Sequence, residues 1–257
     1  MSNTGNENVD DASKEVMSWE DAIKAKAQQQ QQQRQALAHG PKFISFRSGQ
    51  LTVDKVAIPG NELDVIVLTF IGENAYYPGK YDSTVQAPPT CYAMFDNAAD
   101  MAPMPDVTDK QNDICETCPN YQWGSDPAGG RGKACKTRYR IAMMPAPKQG
   151  ATEADILSAE VRFAVLPVTS VKSFEQFATK AQQLFGRPIF GVVAKLSVRP
   201  DAKSQFLVDL QPIEVVFGPL LIPILARIDE AEREIRYSLA NDDVEPAAPT
   251  KPAKPLK

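Results

Sequence analysis

The residues whose chemistry spacing constrains most are four cysteines and one histidine in a chain of 257. Cys115 and Cys118 form a C-x2-C pair in ICETCPNYQWGSD, Cys135 follows in GRGKACKTRYR, and Cys91 precedes them in PPTCYAMFDN. Two thiolates at this spacing wrap a tight turn and reach one tetrahedral ion at about 2.3 Å each, and the outer two cysteines complete a set of four. With no position left for water, a zinc ion held this way is structural. Four thiolates suit an iron–sulfur cluster as well, so zinc is the expectation and the cluster its alternative. Four free thiols, with a C-x2-C that is incidental or redox-active, are the third reading. Pro119-Asn120 and the glycines beyond do not resemble the helix-opening context of a thioredoxin-type motif. A loop of roughly 45 residues inside a domain needs something to order it, and metal binding contributes on the order of ten kcal/mol. His39 lies beside Gly40 in a polar linker with no nucleophile nearby. With a single histidine, hydrolase and metalloprotease constellations are hard to assemble, and the chain is expected not to be an enzyme.

The second signal is charge. Arg131, Lys133, Lys136, Arg138, Arg140 and Lys148 follow one another with no acid between them, whereas Asp96 to Glu116 carries six acids against Lys110. GGRGK matches neither phosphate-binding fingerprint. Tyr77, Tyr81, Tyr92, Tyr121, Trp123 and Tyr139 interleave with these charges. Rings on which bases stack, beside cations that track a backbone, are what single-stranded nucleic acid requires, at about 1–3 kcal/mol per stacked base. The plainer readings are packing around the loop for the rings and a solvated face for the cations. In a strand over 138–141, Arg138 and Arg140 share one face and Tyr139 and Ile141 the other. The arginines are expected to face solvent.

These groups must be positioned by a core that is legible on either side of them. KFISFRSGQLTVDKVAIPG (42–60) reads as a strand pair around Ser48-Gly49. ELDVIVLTFIGENAYY (62–77) reads as a long strand with Leu63, Val65 and Val67 on one face and Ile66, Leu68 and Phe70 on the other. Strands are expected at 138–145 and 159–170, a helix at 173–186 capped by Ser173 and ended by Gly186, a hairpin from 189–200 and 204–218, and a last helix at 219–239. A helix inserted after the third of five antiparallel strands is the order of an OB-fold. The expected class is therefore α+β, mainly β: an OB-like five-stranded Greek-key barrel with a four-cysteine metal loop inserted at about 86–137, one helix between later strands and a C-terminal helix. Residues 41–240 form that domain. Residues 1–40, with six consecutive glutamines from Gln28 to Gln33, are expected to be disordered or marginally helical, and 241–257 a disordered Pro/Ala/Lys tail. Within the first segment Val16, Trp19 and Ile23 share a helical face, a candidate for self-association or for docking a partner.

The run from PPTCYAMFDN through CETCPNYQWGSD to GRGKACKTRYRIAMMP, followed by PVTSVKSFEQFATKAQQLFGRP, resembles a family of phage and prophage single-stranded-DNA-binding proteins, over about residues 60–215. The C-x2-C-P step, the W-G-S after it and the G-K-x-C before a basic strand carry the likeness. A metal loop inserted in an OB-fold is similar to the plan of the single-strand-binding protein of the T-even phages. That protein's ligands include a histidine, and this loop has none. Members often end in an acidic tail that recruits partners, whereas this tail ends in lysines. The resemblance implies a role in phage DNA replication or recombination, with single-stranded DNA and replication or recombination proteins as partners. The alternative is a zinc-ribbon interaction module for a replication, recombination or transcription enzyme. Composition restricts the setting: 28 Lys+Arg against 32 Asp+Glu give a net charge of −4, with a pI near 5.2 and a mean hydropathy of −0.32. No apolar run approaches the roughly 20 residues of a membrane span, and the N-terminus lacks the basic and apolar regions of a secretory signal. A cytoplasmic protein that makes no membrane contact is expected.

Overall fold

The computed structural model describes residues 42–78 and 88–237, together with Trp19, Ile23 and Lys26. Two units divide the chain, Met1–Gly40 and Pro41–Lys257. In the first, the three described residues are helical and exposed. Val16, the glutamine run, Tyr81, His39 and the 241–257 tail lie outside the described residues.

The second unit is organised by β4 (Glu62–Tyr76), fifteen residues long because its apolar run is unbroken by proline. β6 (Cys135–Pro145) pairs antiparallel along one edge from Val65 to Tyr76. The other edge is shared: β8 (Val192–Asp201) takes Glu62 to Val65, and β5 (Cys91–Phe95) takes Gly72 to Tyr76. β7 (Arg162–Leu166) continues beyond β6, and β9 (Gln205–Val215) beyond β8, in the order β7-β6-β4-β8-β9 with β5 beside β4. A smaller sheet holds β1 (Ile44–Ser45), β2 (Thr52–Val53) and β3 (Val56–Ala57). The helices are α1 (Glu153–Ser158), α2 (Val171–Phe185) and α3 (Leu221–Glu234).

This corrects the expected barrel. The described strands form two open sheets, of three and six strands, and no closed five-stranded Greek key is present. The physical reason is coverage. A barrel encloses one core, but this sheet buries both of its faces. Val65, Val67, Ile141, Met143, Leu196 and Leu210 pack with Phe174, Phe177 and Ala181 of α2. Ile66, Leu68, Ala142 and Met144 pack with Ile156 of α1 and Ile224, Ala231 and Ile235 on and just past α3. A sheet with helices on both faces is held open between them.

Other local expectations differ in informative ways. Helix α2 starts two residues early, with Ser173 buried inside it and bonded to Asp209 rather than capping it. Its end is as read: Gly186 adopts φ 60° and donates to the Gln182 carbonyl at 3.0 Å, a left-handed cap that glycine adopts without a Cβ penalty. A register shift between Val67 and Thr69 turns Phe70 away from Ile66 and Leu68. Phe70 instead meets Phe174 and Tyr139, at ring separations of 4.9 and 5.6 Å. The 159–170 segment yields only the five residues of β7, and the last helix ends at Glu234. β5 and α1 have no counterpart in the sequence reading. α1 had a readable signal, since Thr152 and Asp155 form a reciprocal capping box. β5 docks because Gly72 has no side chain: a Cβ there would come within 2.3 Å of the Phe95 ring. No helix among the described residues is long and apolar enough to cross a membrane.

Candidate functional site

The four cysteines converge on one small cavity of about 20 Å³ at the far end of β4. Cys91 opens β5 and Cys135 opens β6, and both are register partners of Tyr76, one on each side. Cys115 and Cys118 lie on the loop above. The Cys118 amide donates to the Cys115 carbonyl at 3.1 Å, which closes the C-x2-C segment into a turn. Asn74, Tyr92, Gln111, Asn112, Asn120 and Tyr121 share the lining.

The expected metal is not supported by this arrangement. Among the described residues, no group of three or more His, Cys, Asp or Glu side chains is placed to hold an ion. Cys91 and Cys135 stand on the two strands that flank Tyr76. The zinc and iron–sulfur expectations are both corrected by the lack of such a group.

The long insertion is ordered by other means. Met101, Cys115 and Ala93 form a small apolar cluster with Phe95 and Tyr121. Around it, side chains satisfy the loop's own backbone. Asn112 donates to the Ile114 carbonyl at 2.8 Å, and Gln122 to the carbonyls of Glu116 and Cys118 at 2.8 and 3.1 Å. Ser125 donates to Gln122 at 2.7 Å and accepts from the Ala134 amide at 2.9 Å. Each such bond contributes about 0.5–1.5 kcal/mol, and with the apolar cluster they hold the loop's backbone in place. The thiols are free and buried. Burial, reinforced by the neighbouring thiols, pushes Cys115 up to about 11 and Cys135 up to about 12; burial also raises Cys91. At neutral pH these three are protonated, the state in which a cysteine packs rather than attacks.

The basic limb is dispersed by the fold. Arg131 is exposed. Lys133 stands over the Tyr121 ring at 3.5 Å and the Trp123 ring at 5.1 Å, and Lys136 pairs with Asp126. Arg138 and Arg140 do not face solvent. They are 7% and 0% exposed and both pair with Glu73, itself fully buried. Burial opposes ionisation of Glu73, but attraction to Arg138 and then Arg140 outweighs it and holds the carboxyl below its usual range. Burial raises the Tyr77 phenol, which hydrogen-bonds with Arg138. Of the other rings, Tyr92 is buried on Asp106, Tyr139 packs with Phe70 and Phe174 and bonds Glu175 at 3.2 Å, and Tyr121 is half-buried. Trp123 is 78% exposed. With Arg138 and Arg140 buried on Glu73, Lys136 paired with Asp126, and neither a barrel groove nor a metal cluster among the described residues, the structure supports neither the DNA-binding mechanism nor the zinc-ribbon one.

A run of exposed apolar residues that the sequence reading passed over extends from β9 into α3. Ile213, Val215, Phe217, Ile222 and Leu225 are all exposed, Phe217 at 69% and Ile222 at 75%. A proline and a register shift mark the end of this edge strand, where Ala194 pairs with Pro212 and Val193 with Glu214. That device blocks strand-on-strand pairing and leaves side-chain contact as the mode of docking. The signal was present in GPLLIPIL, a helix start too apolar for a surface turn. No family model, no curated protein and no solved structure matches the chain. The resemblance to phage single-stranded-DNA-binding proteins therefore lacks support from both comparison and fold.

Proposed function

We propose that the chain is a non-catalytic, self-associating protein whose exposed apolar run from β9 into α3 receives the N-terminal segment of a second copy. The exposed ridge from Ile213 to Leu225 carries this reading. Five large apolar side chains so close in sequence are more than the scattered exposure normal for a monomer's surface, and contiguous apolar patches mark interaction sites. The occupant is suggested by chemistry within the same chain. Trp19 and Ile23 are 72% and 60% exposed, and each is helical. On α3, Ile222 and Leu225 lie one turn apart and are both exposed. Trp19 and Ile23 offer large apolar side chains of the kind that Ile222 and Leu225 present. Reciprocal exchange of the two segments closes a two-fold dimer. Against a catalytic role, three of the four cavity thiols are protonated at neutral pH and the described residues contain no histidine.

Equilibrium sedimentation of the full chain tests this. Self-association is expected, weakened at least about tenfold by Phe217→Ser with Ile222→Ser and by Trp19→Ala with Ile23→Ala, about 1.4 kcal/mol or more for each pair. A labelled peptide of residues 13–27 is expected to bind the wild type and not the ridge variant. A chain that remains monomeric at high concentration, or a peptide that binds both proteins equally, overturns the reading.

A further inference from the structure

The turn from Cys115 to Cys118 is built with its two thiols on one side and its backbone tied on the other. The Cys118 amide donates to the Cys115 carbonyl at 3.1 Å. A four-residue turn closed in this way holds its end Cα atoms within about 7 Å, and a disulfide joins Cα atoms about 4.4–6.8 Å apart. Both ends of the turn are anchored. The Cys115 amide donates to the Met101 carbonyl at 3.1 Å, and the Cys118 carbonyl accepts from the Tyr121 amide at 3.0 Å and from the Gln122 side chain at 3.1 Å. Glu116 and Thr117 between them are exposed, whereas both cysteines line the small cavity beneath. The spacing that a disulfide needs is therefore set by the main chain before any bond forms. Access selects the oxidant. Cys115 and Cys118 are 8% and 7% exposed, which shields them from bulky disulfide reagents. Hydrogen peroxide is little larger than water, the size of molecule that a cavity of about 20 Å³ admits.

We propose that Cys115 and Cys118 form a peroxide-responsive dithiol site that closes reversibly to a disulfide. In the first step the peroxide O–O bond breaks; one oxygen passes to a sulfur, giving a sulfenic acid, and the other leaves as water. In the second, the remaining thiol's sulfur displaces that oxygen, which leaves as a second water with the thiol's proton, and the S–S bond forms. Two thiols lose two electrons and one peroxide becomes two waters. A dithiol reductant reverses the closure by exchange. Burial pushes Cys115 up to about 11, so closure is expected to quicken as pH rises and the thiolate appears. The event consumes one peroxide per chain and is a modification, not a turnover. It is independent of the proposed self-association, since neither the exposed apolar run nor Trp19 and Ile23 take part.

The test uses the full chain, reduced, freed of reductant and exposed while native to a small molar excess of hydrogen peroxide. Wild type is expected to lose two hydrogens in its intact mass and to regain them with dithiothreitol. Trypsin cleavage after Lys110 and Arg131 releases residues 111–131, which contain Cys115 and Cys118 without Cys91 or Cys135, and the loss is expected within that peptide. Cys115→Ser and Cys118→Ser are each expected to abolish it, and Cys91→Ser with Cys135→Ser to leave it in place. The thermal midpoint of wild type is expected to rise by about 2–6 °C on oxidation. Four free thiols after treatment, or sulfinic and sulfonic acids in place of the bond, overturns the site. A disulfide that engages Cys91 or Cys135 in wild type overturns the pairing. A midpoint that falls on oxidation shows a bond that strains the turn and overturns the preformed geometry.

Discussion

The two halves of β4 occupy the same strand, yet they are built on opposite principles. From Val65 to Leu68 every side chain is apolar and buried, alternately on the α2 face and on the α1–α3 face. From Gly72 to Tyr76 the strand is just as buried but polar: Glu73 is 0% exposed and Asn74 1%. Glu73 pairs with two arginines. Asn74 accepts from the Thr137 hydroxyl at 2.7 Å and donates to the Met101 sulfur at 3.3 Å. The first half gains from area removed from water, which is non-directional and tolerant of small changes in shape. The second gains from paired groups, each of which becomes a liability when its partner is lost.

The largest break in this comparison is expected from Glu73→Gln. It leaves two buried guanidinium groups without a carboxylate and should cost about 3–5 kcal/mol by denaturant unfolding. The pH dependence identifies the cause. Because the folded carboxyl titrates below the unfolded one, its contribution is full above about pH 4.5 and is lost as pH falls through the folded value. The variant's deficit should therefore shrink in acid, and a deficit constant from neutral pH downward would assign the effect to packing alone. Asn74→Ala is expected to cost less, about 1–3 kcal/mol, because it removes the Thr137 hydroxyl's short bond and leaves it the longer one to Tyr121 at 3.4 Å. The double variant with Thr137→Val should recover part of that loss, and additive losses would show that the two groups are not coupled. In the apolar half, Ile66→Val removes one methylene and is expected to cost about 0.5–1.5 kcal/mol at every pH. A pH-dependent loss there would erase the distinction between the halves.

How far this pattern was readable follows the same division. Alternation identified β4 and the β8–β9 hairpin, helical spacing identified α2, and alternation separated Arg138 and Arg140 from Tyr139 and Ile141. What it could not supply was what covers each face. The arginines were read as solvent-facing because one buried face is the commoner case for an antiparallel strand, whereas α3 and the residues after it close over the second face. Glu73 carried a signal that went unused, a lone acid in the otherwise uncharged run VIVLTFIGENAYY. The cysteines were read as one metal site, whereas the fold places them around a small cavity with no group able to hold an ion among the described residues. Their spread around Tyr76 followed from β5, a five-residue strand inside an insertion with no repeating pattern to betray it.

By itself, the sequence determined the local periods: where apolar residues recur at two or at 3.6, where Gly186 stops a helix, and which cysteines lie within a turn of each other. These depend on contacts a few residues apart, so they survive without knowledge of the rest of the chain. Only the tertiary structure decided whether the sheet closed, which charges were buried, and which apolar residues were left outside. Each of those outcomes turns on pairs far apart in sequence, Glu73 with Arg140 or Tyr76 with both Cys91 and Cys135. A residue's type states what it needs, a partner or an apolar neighbour, but not where along the chain that need is met. In this protein a helix on the second face of the sheet turned a row of basic residues into a buried ion cluster, and the apolar start of that helix into exposed surface.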